Sequence, residues 1–260
     1  MNHITIVSDH VEMLLKNWAE LFGFNAPAIQ DFSANDSIYT QSRRGKLLLK
    51  GKQAVIPMDT IYLELKTPDV FSYTNDYYDV QGNGPAFIGF TQNEGAEEII
   101  KTLCEKGAEE ADRVQYPMDY GHFAIMDTVS LLDTGICINT YRKPQAPIAE
   151  HCLPDFEEIH IASADPLKTA ESWKNVFGIE REIREDSVLI NAAGRPSVRF
   201  VKDESHRGIR RAVFRMSRER AERIAADEML STLVTESQEG IVLQTQKTLG
   251  IELIVKCSEN

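Results

Sequence analysis

Apolar residues along the chain switch between the two-residue period of strands and the 3.6-residue period of helices. Residues 3–8 alternate and predict a strand. An amphipathic helix that ends at Gly23 is predicted next. Its apolar face consists of Val11, Leu14, Leu15, Trp18, Leu21 and Phe22. Short strand-like segments follow around 38–41, 47–56 and 60–65, so the stretch predicts one β-α-β-β-β unit.

The same order of elements is predicted three more times. The second unit has a strand at 87–91, a helix at 94–106, and strands near 113–116, 121–127 and 135–141. The third has a strand at 158–163, a helix that begins at Asp165-Pro166, and strands near 187–192 and 197–202. The fourth has a strand at 211–216, a helix from Ser217 to about 230, and strands near 240–244 and 250–256. The predicted fold class is therefore α+β, with four βαβββ modules.

An internal repeat shows how these modules pair. Asn-Trp-Ala-Glu-Leu-Phe-Gly-Phe at 17–24 recurs as Ser-Trp-Lys-Asn-Val-Phe-Gly-Ile at 172–179, and the two copies contain the only two tryptophans of the chain. The same offset relates 4–8 to 159–163, which indicates a duplication. We expect an N-terminal domain at 1–143, a proline-containing linker at 144–155 and a C-terminal domain at 156–260. Residues 68–84 are predicted to be a connector inside the first domain.

Composition limits the classes of function. The chain has 260 residues, is 42% hydrophobic and carries a formal net charge of −12. Binding to nucleic acid or to an anionic membrane surface needs clustered basic residues, so neither partner is expected. No apolar run reaches the length that spans a bilayer, and the chain begins directly with a strand pattern. The four cysteines form no C-x-x-C pair, which predicts reduced thiols and a cytoplasmic location.

Several segments resemble the vicinal oxygen chelate superfamily, which includes glyoxalase I, methylmalonyl-CoA epimerase, bleomycin-resistance proteins and extradiol dioxygenases. The resemblance depends on His3-Ile4-Thr5-Ile6, on the Trp18 helix, on Ile61-Tyr62-Leu63-Glu64-Leu65 and on the segment 82–90. It implies that each pair of modules forms a cup-shaped mixed sheet with helices outside. It also implies a divalent metal in the cup, held by residues from the first and last strands of each module.

The four implied ligand positions of the first half are His3, Glu64, Phe87 and Asn139. Phenylalanine cannot coordinate a metal and asparagine is a weak neutral ligand, which leaves His3 and Glu64 as good ligands. A divalent metal (Mg, Mn, Zn or Fe) in the N-terminal domain, on His3, Glu64 and Asn139, is one alternative. The other is no metal, with His3 and Glu64 performing acid–base catalysis.

The corresponding positions of the second half are Glu158, Arg199, Arg211 and Glu252. Arginine has no lone pair for a metal, so this half is expected to hold none. Two arginines and two glutamates predict a structural ion cluster. The alternative is an anion site, in which Arg199 or Arg211 binds a carboxylate or phosphate of a ligand.

Three functions follow from the resemblance. The leading one is a lyase or isomerase acting on a small oxygen-bearing substrate in the N-terminal cup, with His3 and Glu64 as catalytic residues. The second is a non-catalytic small-molecule binder of the bleomycin-resistance type, and the third is an extradiol ring-cleaving dioxygenase. Further ligand contacts are expected from Tyr62, Phe87, His122, Asn139, Arg199 and Arg211. We therefore expect a small molecule as the partner, and the sequence leaves open whether the chain forms a homodimer.

Overall fold

The computed structural model describes residues 1–34, 38–59, 61–115, 121–141, 153–190, 196–227, 234–237 and 240–257. The first half contains strands β1 (His3–Val7), β2 (Gln30–Asp31), β3 (Tyr39–Ser42), β4 (Gly45–Leu48), β5 (Lys52–Pro57), β6 (Tyr62–Lys66), β7 (Gly84–Thr91), β8 (Glu109–Gln115), β9 (Gly121–Asp127) and β10 (Gly135–Tyr141). Its helices are α1 (Val11–Phe22), α2 (Ser72–Gln81), α3 (Ala96–Glu105) and α4 (Val129–Leu132).

The second half contains strands β11 (Asp155–Ser163), β12 (Arg181–Ile183), β13 (Ser187–Ile190), β14 (Ser197–Lys202), β15 (Gly208–Met216), β16 (Val234–Ser237), β17 (Gly240–Leu243) and β18 (Glu252–Cys257). Its helices are α5 (Pro166–Phe177), α6 (Arg218–Ala225) and α7 (Gln246–Leu249). None of the helices in these described ranges is both long and apolar enough to cross a membrane. Most of the predicted linker, 144–152, lies outside the described residues.

Each half forms one sheet with the same central pattern. The first sheet has the order β2-β5-β6-β1-β7-β10-β9-β8-β3-β4, and the second has β12-β13-β14-β11-β15-β18-β17-β16. In both sheets the first strands of two modules pair antiparallel at the centre. Each of them also pairs in parallel with the last strand of its own module. The predicted α+β class with four βαβββ modules, paired two and two, is confirmed.

The segment between β2 and β5 departs from the prediction. We expected 38–41 and 47–56 to be neighbouring strands of the first module. Instead, β3 and β4 form a hairpin, and β3 pairs with β8 at the far edge of the sheet. The chain leaves the first module after β2 and returns to it before β5. At this point the Phe32 amide donates a hydrogen bond to the Gly51 carbonyl at 2.9 Å. The hairpin therefore links the first module to the outer strand of the second.

The predicted connector at 68–84 is also different, because it contains helix α2. The Ser72 and Tyr73 amides at its first turn donate to the carboxylate of Asp112 at 3.1 and 2.8 Å. The Thr40 hydroxyl of the hairpin donates to the same carboxylate at 3.2 Å. A buried carboxylate that satisfies free amides at a helix N-terminus stabilises that helix. Asp112 thus holds α2 and the hairpin against β8.

A single apolar core joins the two halves. It includes Trp18 and Trp173, both fully buried. The indole N–H of Trp18 donates to the Leu249 carbonyl at 3.0 Å, and that of Trp173 donates to the Leu132 carbonyl at 3.1 Å. Each tryptophan thus binds the last residue of a one-turn helix in the opposite half. The duplication seen in the sequence therefore appears in the structure as a pair of equivalent contacts.

A second apolar cluster fills the concave face of the first sheet. Side chains at alternate positions of a strand share a face, and those facing the cup are covered by α2 and the hairpin. The cluster contains Val7, Phe32, Leu49, Val70, Phe71, Tyr73, Ala86, Phe87, Ala111, Val114, Phe123, Ile125 and Cys137. The interior of the first cup is therefore largely packed with side chains.

Candidate functional site

Strands β1 and β6 bring the predicted catalytic residues together. The two strands are parallel, with His3 beside Tyr62 and Thr5 beside Glu64. Because residues two apart point to one face, His3, Thr5, Tyr62, Glu64 and Lys66 all face the cup. Tyr62 is half-buried. Glu64 contacts both His3 and Lys66, and we call these three residues the cup triad.

His3 lies flat against the backbone of β7. A Cβ atom on Gly89 would lie 1.9 Å from the imidazole, so this position requires glycine. The Phe87 ring meets the imidazole edge-on, with 5.8 Å between centroids. Nδ1 of His3 lies 2.9 Å from the Asn2 side-chain oxygen. In the tautomer that donates from Nδ1 to this oxygen, Nε2 presents its lone pair.

The Nε2 atom of His3 is buried and has no hydrogen bond among the described residues. It points towards Oε2 of Glu64, 3.5 Å away. Burial is the main cause that lowers the pKa of His3, to about 4, against the attraction of the Glu64 carboxylate. The imidazole is therefore neutral at pH 7, and its free lone pair lies inside the cup.

Glu64 is the anion of the cup triad. Its Oε2 accepts a hydrogen bond from the Thr5 hydroxyl at 3.1 Å and lies 2.8 Å from Nζ of Lys66. Burial alone would raise the pKa of Glu64, but interactions with His3 and Lys66 and the hydrogen bond from Thr5 lower it to about 2. The carboxylate is therefore ionised at pH 7.

Lys66 was not predicted from the sequence. It is 5% exposed, and its ammonium group lies over the rings of Phe71 and Phe87, 4.8 and 5.7 Å from their centroids. A lysine is rarely buried unless it is paired, and here it has both a carboxylate and two aromatic faces. The position two residues after Glu64, on the same strand face, was the available signal.

The remaining implied ligand positions of the first half do not supply metal donors. Phe87 is fully buried and apolar. The Asn139 amide nitrogen donates to the Asn2 side chain at 3.4 Å and to the Phe90 carbonyl at 3.3 Å. Within the described ranges no three His, Cys, Asp or Glu side chains converge on one point. The donor set therefore does not fit a divalent metal, although His3 and Glu64 face one another.

His122 does not join this group. Phe123 faces the cup, so the preceding residue on β9 points to the opposite face of the sheet. There, Nε2 of His122 lies 3.3 Å from a carboxylate oxygen of Glu97 on α3. The expectation that His122 contacts a ligand in the cup is corrected, because strand alternation directs it towards the helix layer.

In the second half, the arginines at the implied positions pair with the glutamates. Arg199 binds Glu158 through two hydrogen bonds, at 2.7 and 3.1 Å, and His160 lies 2.7 Å from the same carboxylate. Burial would raise the pKa of Glu158, but the hydrogen bonds from His160 and Arg199 and their charges lower it to about 2. Two arginine nitrogens in parallel on one carboxylate is the strong geometry for this pair.

Arg211 forms a separate ion pair with Glu252. The predicted four-residue cluster is thus two pairs on adjacent strands rather than one network. Only Nε of Arg211 has a partner among the described residues, and the side chain is 30% exposed. The terminal nitrogens of Arg211 are therefore the ones available to an anion. Nothing in this half offers three metal donors within the described residues.

Comparisons with solved structures identify proteins of similar fold. No family model and no curated protein sequence matches the chain. The 2,3-dioxygenase LapB from Pseudomonas sp. KL28 is similar with a TM-score of 0.60 and 10% identity, covering 100% of this chain and 92% of that chain. The Mn(II)-bound glyoxalase from Novosphingobium aromaticivorans has a TM-score of 0.57 and 9% identity, covering 99% and 82%.

A hypothetical protein from Staphylococcus aureus has a TM-score of 0.56 and 8% identity, and the match covers 99% of this chain and 98% of that chain. These likenesses extend over the whole two-half arrangement. At such identities they establish architecture and leave the reaction open. The module order, the paired sheets and these similarities together show that the chain has the vicinal oxygen chelate fold.

Proposed function

We propose that the protein is an enzyme of the lyase or isomerase type, which moves a proton next to a carbonyl group of a small oxygen-bearing substrate. The reaction would take place at the cup triad. The observation that carries this proposal is the buried, neutral imidazole of His3, whose Nε2 lone pair has no hydrogen bond among the described residues. A buried nitrogen without a partner calls for an explanation, and a catalytic role suits a neutral imidazole that faces a carboxylate.

The surroundings of His3 suit a general base. Its Nδ1 is oriented by Asn2, which fixes the tautomer. When Nε2 accepts a proton, the Glu64 carboxylate 3.5 Å away stabilises the resulting imidazolium. The Lys66 ammonium places a positive charge near any oxyanion that forms beside the triad. The Glu64 side chain is 17% exposed, so solvent reaches part of this carboxylate.

The second candidate is a non-catalytic binder of small molecules. It is favoured by the packing of Phe71, Tyr73, Phe87 and Phe123 in the cup, which leaves little room for a substrate deep inside. The exposed terminal nitrogens of Arg211 would then take a ligand carboxylate in the second half. The dioxygenase alternative has less support, because neither half supplies three metal donors among the described residues.

One experiment separates the two candidates. Small 2-oxo, 2-hydroxy and 2-methyl carboxylic acids and thioesters are first screened for an increase in the melting temperature. Each stabilising compound is then incubated with the protein in D2O, and exchange of its carbon-bound protons is followed by NMR. We expect exchange in the wild type and a loss of about 10²- to 10⁴-fold in His3→Gln.

His122→Gln is the matched control, since it changes a histidine of the same sheet on the opposite face. It should exchange at the wild-type rate. Compounds that bind without proton exchange would replace the enzyme proposal by the binder. Exchange that survives in His3→Gln would show that His3 is not the base.

A further inference from the structure

The Glu64 oxygen that faces His3 already has a cation of the protein beside it. Nζ of Lys66 lies 2.8 Å from Oε2 of Glu64, the same oxygen that faces Nε2 of His3. The Thr5 hydroxyl donates to this oxygen as well, at 3.1 Å. A carboxylate oxygen has two lone pairs, so these two donors occupy the oxygen of Glu64 that faces His3.

The ammonium group is held in place from its other side. It lies over the faces of Phe71 and Phe87, and this arrangement stabilises a desolvated cation. Phe71 directly precedes α2, whose N-terminus is fastened by Asp112. The helix that covers the cup therefore also supplies part of the lysine site.

The Glu64 carboxylate already has the Lys66 ammonium group as its counter-ion, 2.8 Å away. A divalent ion on His3 and Glu64 would have to displace the ammonium or stand beside it, and like charges at this distance in a buried site repel strongly. The chain offers no third strong metal donor there among the described residues. Phe87 is apolar, and the Asn139 side chain already forms a hydrogen bond with the Phe90 carbonyl.

We propose that the Lys66 ammonium takes the place that a divalent metal has in the cup of metal-dependent proteins with this fold, and that it keeps metals out of the first half. The positive charge of the site would thus be covalently built into β6. This inference goes beyond the proposed function, because it concerns which cation the site holds and does not depend on any substrate.

Three substitutions at one position test the proposal. Lys66→Met removes the charge and keeps the length of the side chain. Lys66→His replaces the ammonium group with an imidazole, which lies two residues from Glu64 on the same strand face. With His3 and Glu64, it would give the site three metal ligands. Lys66→Arg keeps the charge and is the matched control. Tag-free proteins are incubated with Mn²⁺, Ni²⁺ or Zn²⁺, passed through a desalting column and analysed for bound metal.

The wild type and Lys66→Arg should retain less than about one tenth of an equivalent of metal, and Lys66→His about one equivalent. Lys66→Met should show weak binding by titration calorimetry, at least about tenfold tighter than the wild type. Adding His3→Ala to Lys66→His should abolish retention. Circular dichroism confirms that each variant is folded.

Metal retained by the wild type and lost in His3→Ala would overturn the proposal, and this arm needs no Lys66 variant. Folded Lys66→Met and Lys66→His proteins that bind no more metal than the wild type would overturn it too. Because the readout is bound metal, its failure is distinguishable from a failure of proton exchange in the assay for the proposed function.

Discussion

At the scale of single residues, the first cup depends on glycines that make room for rings. Gly89 admits the imidazole of His3, and Gly135 admits Tyr73, whose hydroxyl would lie 2.3 Å from an added Cβ. Neither glycine needs a positive φ angle, so steric space alone explains them. Within 82–90, Gly84 and Gly89 thus serve packing in β7, whereas Gly82 ends α2 with a positive φ of 73°.

Gly89→Ala should displace His3 and lower the free energy of unfolding by about 1–3 kcal/mol, as overpacking does in cores. His3→Ala removes the ring that the new methyl group meets. The double variant should therefore be more stable than the sum of the two single effects implies, as measured by urea denaturation. Strict additivity would show that Gly89 and His3 do not share this space.

Glu158 gives the protein an acid-sensitive interaction. Its pKa is about 2 in the folded state and near 4.5 when it is exposed. A depressed carboxyl pKa stabilises the fold above the unfolded value, and this contribution is lost as the pH falls from about 4.5 towards 2. We expect a loss of about 3 kcal/mol across this window from this group.

Urea denaturation from pH 7 to pH 2 measures this loss. Glu158→Gln should flatten the decrease between pH 4.5 and pH 2, because it removes the titrating group. Glu182→Gln, in an exposed pair with Arg184, is the control and should follow the wild type. Equal slopes in all three proteins would contradict the assignment.

The sequence predicted that His3 and Glu64 share one site, and the structure places them 3.5 Å apart, while their catalytic roles stay a prediction. His3 and Glu64 were placed together because the resemblance fixed their strands, and strand pairing does the rest. Lys66 was missed because lysine is normally exposed, and its burial depends in part on Phe87, which belongs to β7 of the second module. His122 was assigned to the wrong face although the predicted strand at 121–127 has the bounds of β9, because strand alternation alone does not tell which of the two faces lies towards the cup.

At the scale of elements, α2 and the β3–β4 hairpin convert an open cup into a covered one. Both are fastened at Asp112, which is fully buried and whose pKa is raised to about 6, mainly by burial. Its carboxylate accepts three hydrogen bonds, from Ser72, Tyr73 and Thr40. This one side chain therefore connects two covering elements to β8.

Asp112→Ala should lower the free energy of unfolding by about 2–4 kcal/mol, because it leaves buried amides without a partner. The loss of stability should be concentrated in α2 and the β3–β4 hairpin. Hydrogen exchange measured by mass spectrometry should rise in 68–81 and 39–48 and stay unchanged in α5. Asp79→Ala, at the exposed end of the same helix, serves as the control and should leave exchange unaltered.

The sequence could not predict this cover. The connector lacks a regular apolar stripe, because α2 meets the cup with residues clustered at its first turn, Ser72, Tyr73 and Thr74. The hairpin has strand-like composition, but its partner, β8, lies more than sixty residues further along the chain. Local periodicity identifies a strand and carries no information about which edge of a sheet it joins.

At the scale of the whole molecule, the two tryptophans join the halves. Trp18→Phe and Trp173→Phe each remove one buried hydrogen bond to the opposite half. Each should lower the free energy of unfolding by about 1–3 kcal/mol. Because the apolar core is continuous, unfolding should stay a single transition for both variants.

Tryptophan fluorescence and far-ultraviolet circular dichroism should give coincident denaturation curves, each variant reporting on the half that retains its indole. Tyr39→Phe, on an exposed strand, is the control and should leave the midpoint unchanged. Two separated transitions would show that the halves fold independently.

The paired tryptophan contacts have a consequence for the origin of the chain. Trp18 of the first half binds the end of α7, and Trp173 of the second half binds the end of α4, so each half carries both a donor helix and an acceptor helix. A solitary ancestral half with these two features would be self-complementary, with its tryptophan meeting the short helix of a second copy. The present chain then corresponds to a symmetric dimer whose subunits became covalently joined, and after that joining each half could specialise. One half came to carry the histidine–glutamate–lysine triad, and the other came to carry arginine–glutamate pairs.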